Sequence, residues 1–155
     1  MEIDPDSAQV RVPPPLAVLA AILVSWIVHL IHPIPVFHES INGFLGSVLF
    51  ASGLLLALLC VGLFKAQGTG LPPWKPSTKV VHGGPYRFSR NPIYIGLLIA
   101  YLGVIVLINT VWGFVLLIPL FFFFNNYVIP KEEKYLESKF GDEYRAYKTK
   151  VRRWI

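Results

Sequence analysis

Apolar positions in this chain come in long unbroken runs rather than at spaced intervals. The first covers residues 16–31, LAVLAAILVSWIVHLI, with His29 and His32 at its end and Pro33 and Pro35 closing it. The second, residues 41–64, contains no charged side chain and stops at Lys65. A third occupies residues 93–108 behind Pro92, a residue suited to the first turn of a helix. The fourth, residues 111–129, follows after only Asn109-Thr110, and Pro119 within it predicts a kink. Roughly 20 apolar residues in a helix cross a hydrocarbon core about 30 Å thick. The pattern therefore predicts about four spanning helices, at 16–32, 41–64, 93–108 and 111–129, with the last two forming an antiparallel hairpin. In the second span Gly43, Ser47 and Ala51 recur at every fourth position and predict a flat strip for close helix packing.

Beyond residue 129 the pattern changes. Leu136, Phe140, Tyr144, Tyr147 and Val151 stand three or four positions apart and share one face of a helix. Gly141-Asp142 interrupts that stripe, and Asp142 is expected to cap a second short helix. With lysines around the stripe, the tail 130–155 should lie along the membrane surface or over the mouth of the bundle. The expected fold is all-α: a polytopic membrane helical bundle with a C-terminal amphipathic helical tail, one integral-membrane domain over residues 1–155.

Composition agrees with a bilayer as solvent. Hydrophobic residues make up 54% of the 155 and charged ones only 15%, where a soluble domain usually carries about 25% charge. The net charge of +5 could point to nucleic acid, but the basic residues flank apolar runs and form no reading motif. Anionic lipid headgroups and membrane orientation account for them, and no nucleic-acid partner is expected. The loop 65–91 holds Lys65, Lys75, Lys79, Arg87 and Arg90 and no acid, and the tail is also net basic. Residues 32–40 offer only Glu39, and the Asn109-Thr110 turn offers no charge. The positive-inside rule places loop and tail in the cytoplasm, and with them the N-terminus of a four-span multi-pass protein. The opening MEIDPDSAQVRVPPP lacks the basic region of a secretory signal, so the first run is expected to persist. Cys60, the single cysteine, reads as a small packing residue. His29, His32, His38 and Glu39 have a spacing that could bind a metal, but interfacial histidines without a ligand are commoner and no metal is expected.

Candidate chemistry is concentrated in two stretches, His82-Gly83-Gly84-Pro85-Tyr86-Arg87-Phe88-Ser89-Arg90-Asn91-Pro92-Ile93-Tyr94-Ile95-Gly96 and Asn125-Asn126-Tyr127 running into Lys131-Glu132-Glu133-Lys134-Tyr135-Leu136. One leads into the third span and the other leaves the fourth, so a hairpin brings them to one membrane face. Arginine can grip a carboxylate with two parallel hydrogen bonds, a glutamate can hold an ammonium group or ribose hydroxyls, and tyrosine faces accept a cation. Gly83-Gly84 allows close backbone approach. The same residues also suit a plainer arrangement in which Arg90 pairs with Glu132 or Glu133 only to fasten the tail. Asn125 and Asn126 lie deep enough to need partners, either a cofactor or a neighbouring helix. Residues 121–124, all phenylalanine, read as lipid-facing and packing surface.

The string GPYRFSRNPIYIG, followed after two spans by EEKYLESKFGDEYRAYKTKVRRWI, resembles the isoprenylcysteine carboxyl methyltransferase family, part of a wider set of membrane methyltransferases that includes phospholipid N-methyltransferases. The likeness covers residues 80–155. Asn91 stands where that family usually has histidine, and asparagine keeps a hydrogen bond but does not titrate near neutral pH. The resemblance implies S-adenosyl-L-methionine as cofactor, in a pocket lined by His82, Gly83, Tyr86, Arg90, Asn91, Tyr94, Glu132 and Glu133, with Arg90 and Glu133 as catalytic residues. Glu132 or Glu133 would take the cofactor's amino group, Arg90 would sit near its carboxylate, and Tyr86 and Tyr94 near its sulfonium. The implied activity is methyl transfer to a lipidic or prenylated acceptor at the cytoplasmic membrane face, foremost carboxyl O-methylation of an isoprenylcysteine-like substrate. Arg152 or Arg153 could hold an acidic substrate or simply lipid headgroups. Two rivals stand beside it: a membrane reductase of the sterol or steroid type using NADPH, whose hydrophobic hairpin and basic, tyrosine-rich tail look similar, and a noncatalytic membrane adaptor that only kept the scaffold. Oligomeric state is left open.

Overall fold

The computed structural model describes residues 5–70 and 76–155, with the side chains of Glu39 and Ser40 outside that description. Lys75 of the basic loop and the first four residues of the acidic N-terminus therefore lie outside the described residues. Every regular element within them is helical: α1 Pro14–Ile31, α2 Glu39–Ala66, a 3-10 turn Gly84–Arg87, α3 Pro92–Ile108, α4 Val111–Phe123, a π turn Phe124–Val128, α5 Ile129–Phe140 and α6 Asp142–Lys150. A helix in lipid satisfies its own backbone hydrogen bonds, which is why unbroken apolar runs become helices here. Three helices are long and apolar enough to cross a membrane, namely Pro14–Ile31, Ile41–Ala66 and Val111–Phe140, and the shorter apolar Pro92–Ile108 completes the bundle. The helix entered at Val111 does not stop where its apolar run stops. It continues through the π turn and Pro130 to Phe140, so the tail leaves the bundle only at Gly141.

Helix α3 is the centre. It packs along α2 on one side and against α1 and α4 on the other. The α2–α3 seam is made of backbone in near contact. A Cβ added at Gly53 would come within 2.3 Å of the Ala100 amide nitrogen, and one at Gly103 within 2.3 Å of that of Phe50. Gly46, Gly53 and Ala57 form the α2 side of this seam, and buried Cys60 continues it towards Ile93. The strip expected at Gly43, Ser47 and Ala51 is not the packing strip: a Cβ added at Gly43 would meet nothing within 4 Å, and Ser47 and Ala51 are exposed. Because α2 is apolar all round, its sequence period carries no phase and cannot say which small residues turn inward. Gly53→Val is expected to cost about 3 kcal/mol, the upper range for overpacking a tight core, read as a lowered thermal midpoint of the purified protein in detergent.

At the end of the bundle away from the tail, Asn109 takes the left-handed conformation (φ 56°) that ends α3. Its side chain accepts from the backbone N–H of Val36 and Phe37 at 3.0 and 2.8 Å and donates to the Phe37 carbonyl at 2.8 Å, tying down the α1–α2 connection. Thr110 Oγ1 accepts from the Trp112 amide at 3.3 Å and starts α4. Midway, the fully buried Tyr101 donates to the Gly113 carbonyl at 2.7 Å, joining α3 to α4. The aromatic run divides by exposure: Phe122 faces outward, whereas Phe124 is fully buried and stacks on Tyr94 with ring centroids 5.1 Å apart.

Alternate helix directions bring the starts of α1 and α3, the end of α2 and all of α5 and α6 to the other end. There the tail stripe is buried: Tyr144 and Tyr147 pack on Val80, with Leu136, Phe140 and Val151 around them. The tail thus covers the mouth of the bundle. Its short helix is capped by Gly141 (φ 53°), not by Asp142, whose carboxylate instead pairs with Arg145 at 2.7 Å. Only a residue free of a Cβ takes that backbone turn without strain.

Candidate functional site

Two adjacent glutamates on α5 face different surroundings because successive helical residues point about 100° apart. Glu132 shares its face with Tyr135 and Leu136, three and four residues on, and all three line a cavity of about 350 Å³. Its walls come from the start of α1 (Pro14, Pro15), the end of α2 (Phe64), the first turns of α3 (Ile93, Tyr94, Leu97) and the tail (Tyr144, Tyr147). Ala8 and the segment containing Ser77, Lys79, Val80 and Val81 complete it, and Tyr86 of the 3-10 turn lines it too. The volume is within the range of about 300–1,000 Å³ for small-molecule sites.

Inside, Tyr94 donates its hydroxyl to Glu132 Oε1 at 2.5 Å. None of the ion pairs among the described residues reaches Glu132. A carboxylate held beside an apolar cavity without a cation is costly, and a group so placed in a cleft is a functional-site candidate. Tyr86 is buried with its ring edge against Phe64, centroids 5.5 Å apart, and burial pushes its phenol well above the usual range. Burial also raises the Tyr147 phenol to about 12, with nearby Arg90 opposing, so it stays a donor and bonds the Tyr86 carbonyl at 2.7 Å.

Glu133 turns the other way and is already engaged. Arg90 Nη2 donates to its Oε1 at 2.7 Å and Arg153 Nη2 to its Oε2 at 2.6 Å. Arg90 and Glu133 side chains are only 10% and 7% exposed, which makes this a buried pair rather than a surface one. A guanidinium has five N–H donors. Arg90 directs Nε and Nη2 to Glu133, while Nη1 donates to the carbonyls of Lys148 (3.1 Å) and Val151 (2.6 Å). The Arg90 amide donates to the Arg152 carbonyl at 2.9 Å. Asn91 Nδ2 and Ser89 Oγ both donate to the Arg153 carbonyl, at 2.9 and 3.2 Å. Finally Trp154 Nε1 donates to Asn125 Oδ1 at 3.0 Å and its ring stacks on Phe121. These bonds form a latch holding residues 151–154 across the starts of α3 and α5.

The residues singled out from sequence therefore separate into groups. Tyr86, Tyr94 and Glu132 line the cavity. Arg90, Asn91 and Glu133 build the latch beside it and bond to the chain. Exposed His82 meets Glu143 at 3.3 Å, and the nearest atom to an added Gly83 Cβ is 3.9 Å away, on Gln67. Gly84, with φ 56°, makes the close approach, and it is to Leu63 of α2. Asn125 is a helix-to-tail contact. Sequence reasoning passed over Tyr147, Lys79 and the Ala8 segment as parts of a site, and it included Tyr135 in the second candidate stretch without giving it a place in the pocket. The spacing of Tyr135 from Glu132 was a usable signal, since three residues on a helix share a face.

Comparison with known proteins adds a family. The family described as phospholipid methyltransferase matches residues 41–143, from the start of α2 into α6. A Haemophilus influenzae protein described only as uncharacterized is 49% identical over 63 residues, which make up 41% of this chain and 79% of that protein. No solved structure matches the chain.

Proposed function

Because this chain belongs to the phospholipid methyltransferase family and is thus a membrane methyltransferase using S-adenosylmethionine, we propose that the Glu132 cavity holds that cofactor and that the methyl group passes there to a lipidic acceptor. The observation that carries this reading is the Glu132 carboxylate, without a cation, facing a tyrosine-walled cavity at one end of the bundle. Family membership favours methyl transfer over the reductase and adaptor alternatives.

The residues present fit the cofactor. Glu132 offers a partner for an ammonium group, Lys79 at the rim one for a carboxylate, and the rings of Tyr86, Tyr94 and Tyr147 offer faces that attract a sulfonium cation. Phe64, Ile93 and Leu97 give apolar surface for the remainder. When bound, S-adenosylmethionine supplies a methyl group already activated on positive sulfur. The protein's task is then alignment and exclusion of water. Tyr94 fixes the Glu132 carboxylate, Tyr147 fixes the Tyr86 backbone, and the latch holds α5 in register with α3.

Carboxyl O-methylation of an isoprenylcysteine-like acceptor is the finer reading. Among the described lining residues Glu132 is the one carboxylate and there is no imidazole. An acceptor already ionised at neutral pH needs no base, whereas an ammonium acceptor would have to lose a proton. The basic loop and tail favour a cytoplasmic site with both termini on that side. Incubating the purified protein with radiolabelled cofactor and fractionated membrane extract tests the reading. Base-labile label in lipid is expected; base-stable label would move the assignment to nitrogen or carbon, and no label would remove it.

A further inference from the structure

Tyr135 stands one turn beyond Glu132 on α5 and lines the same cavity. Its hydroxyl donates to the Asp6 carbonyl at 3.0 Å and accepts from the Ser77 amide and from Lys139 Nζ, both at 3.0 Å. A phenol has one donor and two acceptor positions, so the chain itself uses the whole capacity of this group.

Asp6 and Ser77 belong to segments without regular secondary structure, and both border the cavity: one through Ala8, the other through Ser77, Lys79, Val80 and Val81. Most of the remaining lining is helix. The N-terminal segment turns at Gln9, whose φ of 51° is rare for a residue with a Cβ. On either side of that turn Ala8 and Val10 point inward and are 7% and 0% exposed. Segments held by few hydrogen bonds open at lower free energy than packed helices. A way into the cavity thus runs under these two segments, which the Tyr135 oxygen ties together, the second being held also to Thr69 and Gly68 through Thr78 and Lys79.

We propose that Tyr135 is a positioning residue whose hydroxyl fastens the two coil segments over the cavity and so sets how fast the spent cofactor leaves. The inference rests on the cavity being the cofactor site. Lys139 strengthens the fastening, since its ammonium bonds both the Tyr135 oxygen and the Asp6 carboxylate. The substitution Tyr135→Phe keeps the ring's packing and removes only the three bonds of its hydroxyl, leaving the Lys139–Asp6 pair in place.

The test measures release of S-adenosylhomocysteine from the full chain in nanodiscs of phosphatidylcholine, by stopped flow. Tyr135→Phe is expected to raise the dissociation rate about tenfold, the equivalent of one or two neutral hydrogen bonds, with the thermal midpoint unchanged. A second variant lacking residues 2–7 removes the Asp6 tie; there Tyr135→Phe should add much less than in the full chain. A wild-type release rate in Tyr135→Phe, or equal effects in both backgrounds, overturns the proposal while leaving the cofactor assignment standing. A wild-type protein that binds no S-adenosylhomocysteine overturns both.

Discussion

Glu132→Gln is expected to weaken S-adenosylmethionine binding by about 10–100-fold, because a charge-assisted hydrogen bond is worth about 1.5–3 kcal/mol. Glutamine keeps the shape and the acceptor oxygen that Tyr94 bonds, so what disappears is the charge that an ammonium group would meet. Stability should move the other way or not at all. The carboxylate has no cation among the ion pairs of the described residues, and replacing it with a neutral amide lifts a desolvation cost. Equilibrium titration with cofactor, alongside a melting curve, checks both halves. Unchanged affinity would take Glu132 out of the site.

Glu133→Ala should do the reverse. It strips the partner from Arg90 and Arg153, one of them nearly buried, and breaking a buried ion pair from one side costs about 3–5 kcal/mol. The thermal midpoint is expected to drop sharply, with residues 151–154 loosened from the start of α3. Below that midpoint the affinity for cofactor should fall only a few-fold. Were Glu133 a ligand to the cofactor, affinity would collapse while the fold still held. The paired substitutions thus separate binding from fastening at neighbouring positions.

Much of this architecture is legible in the chain's apolar runs, because a lipid environment leaves a backbone few options but helix. Arg90 and the Glu132-Glu133 pair do converge, as a short Asn109-Thr110 turn requires. What could not be read was phase. Fully apolar helices have no polar face to orient them, so the α2–α3 seam fell on Gly46 and Gly53 rather than Gly43 and Ser47. The division of labour between the two glutamates depends on the rotation of α5, which a π turn resets. The cover formed by the segment around Ala8 is held through the backbone carbonyls of Asp6 and Gln9 as well as the Asp6 carboxylate, and carbonyls are the same whatever the side chain.

That π turn at Phe124–Val128 has a consequence for insertions and deletions. Because it holds one residue more than an α turn, it can absorb a one-residue deletion, whereas removing one residue after it, from 129–131, would swing everything downstream by about 100°, so that Glu133 would stand where Glu132 now stands and Lys134 would arrive opposite Arg90 and Arg153. The doublet of acids would still present an anion to the ligand, but three cations would crowd the fastening. A single frame slip in this helix is therefore tolerable to the chemistry and ruinous to the closure.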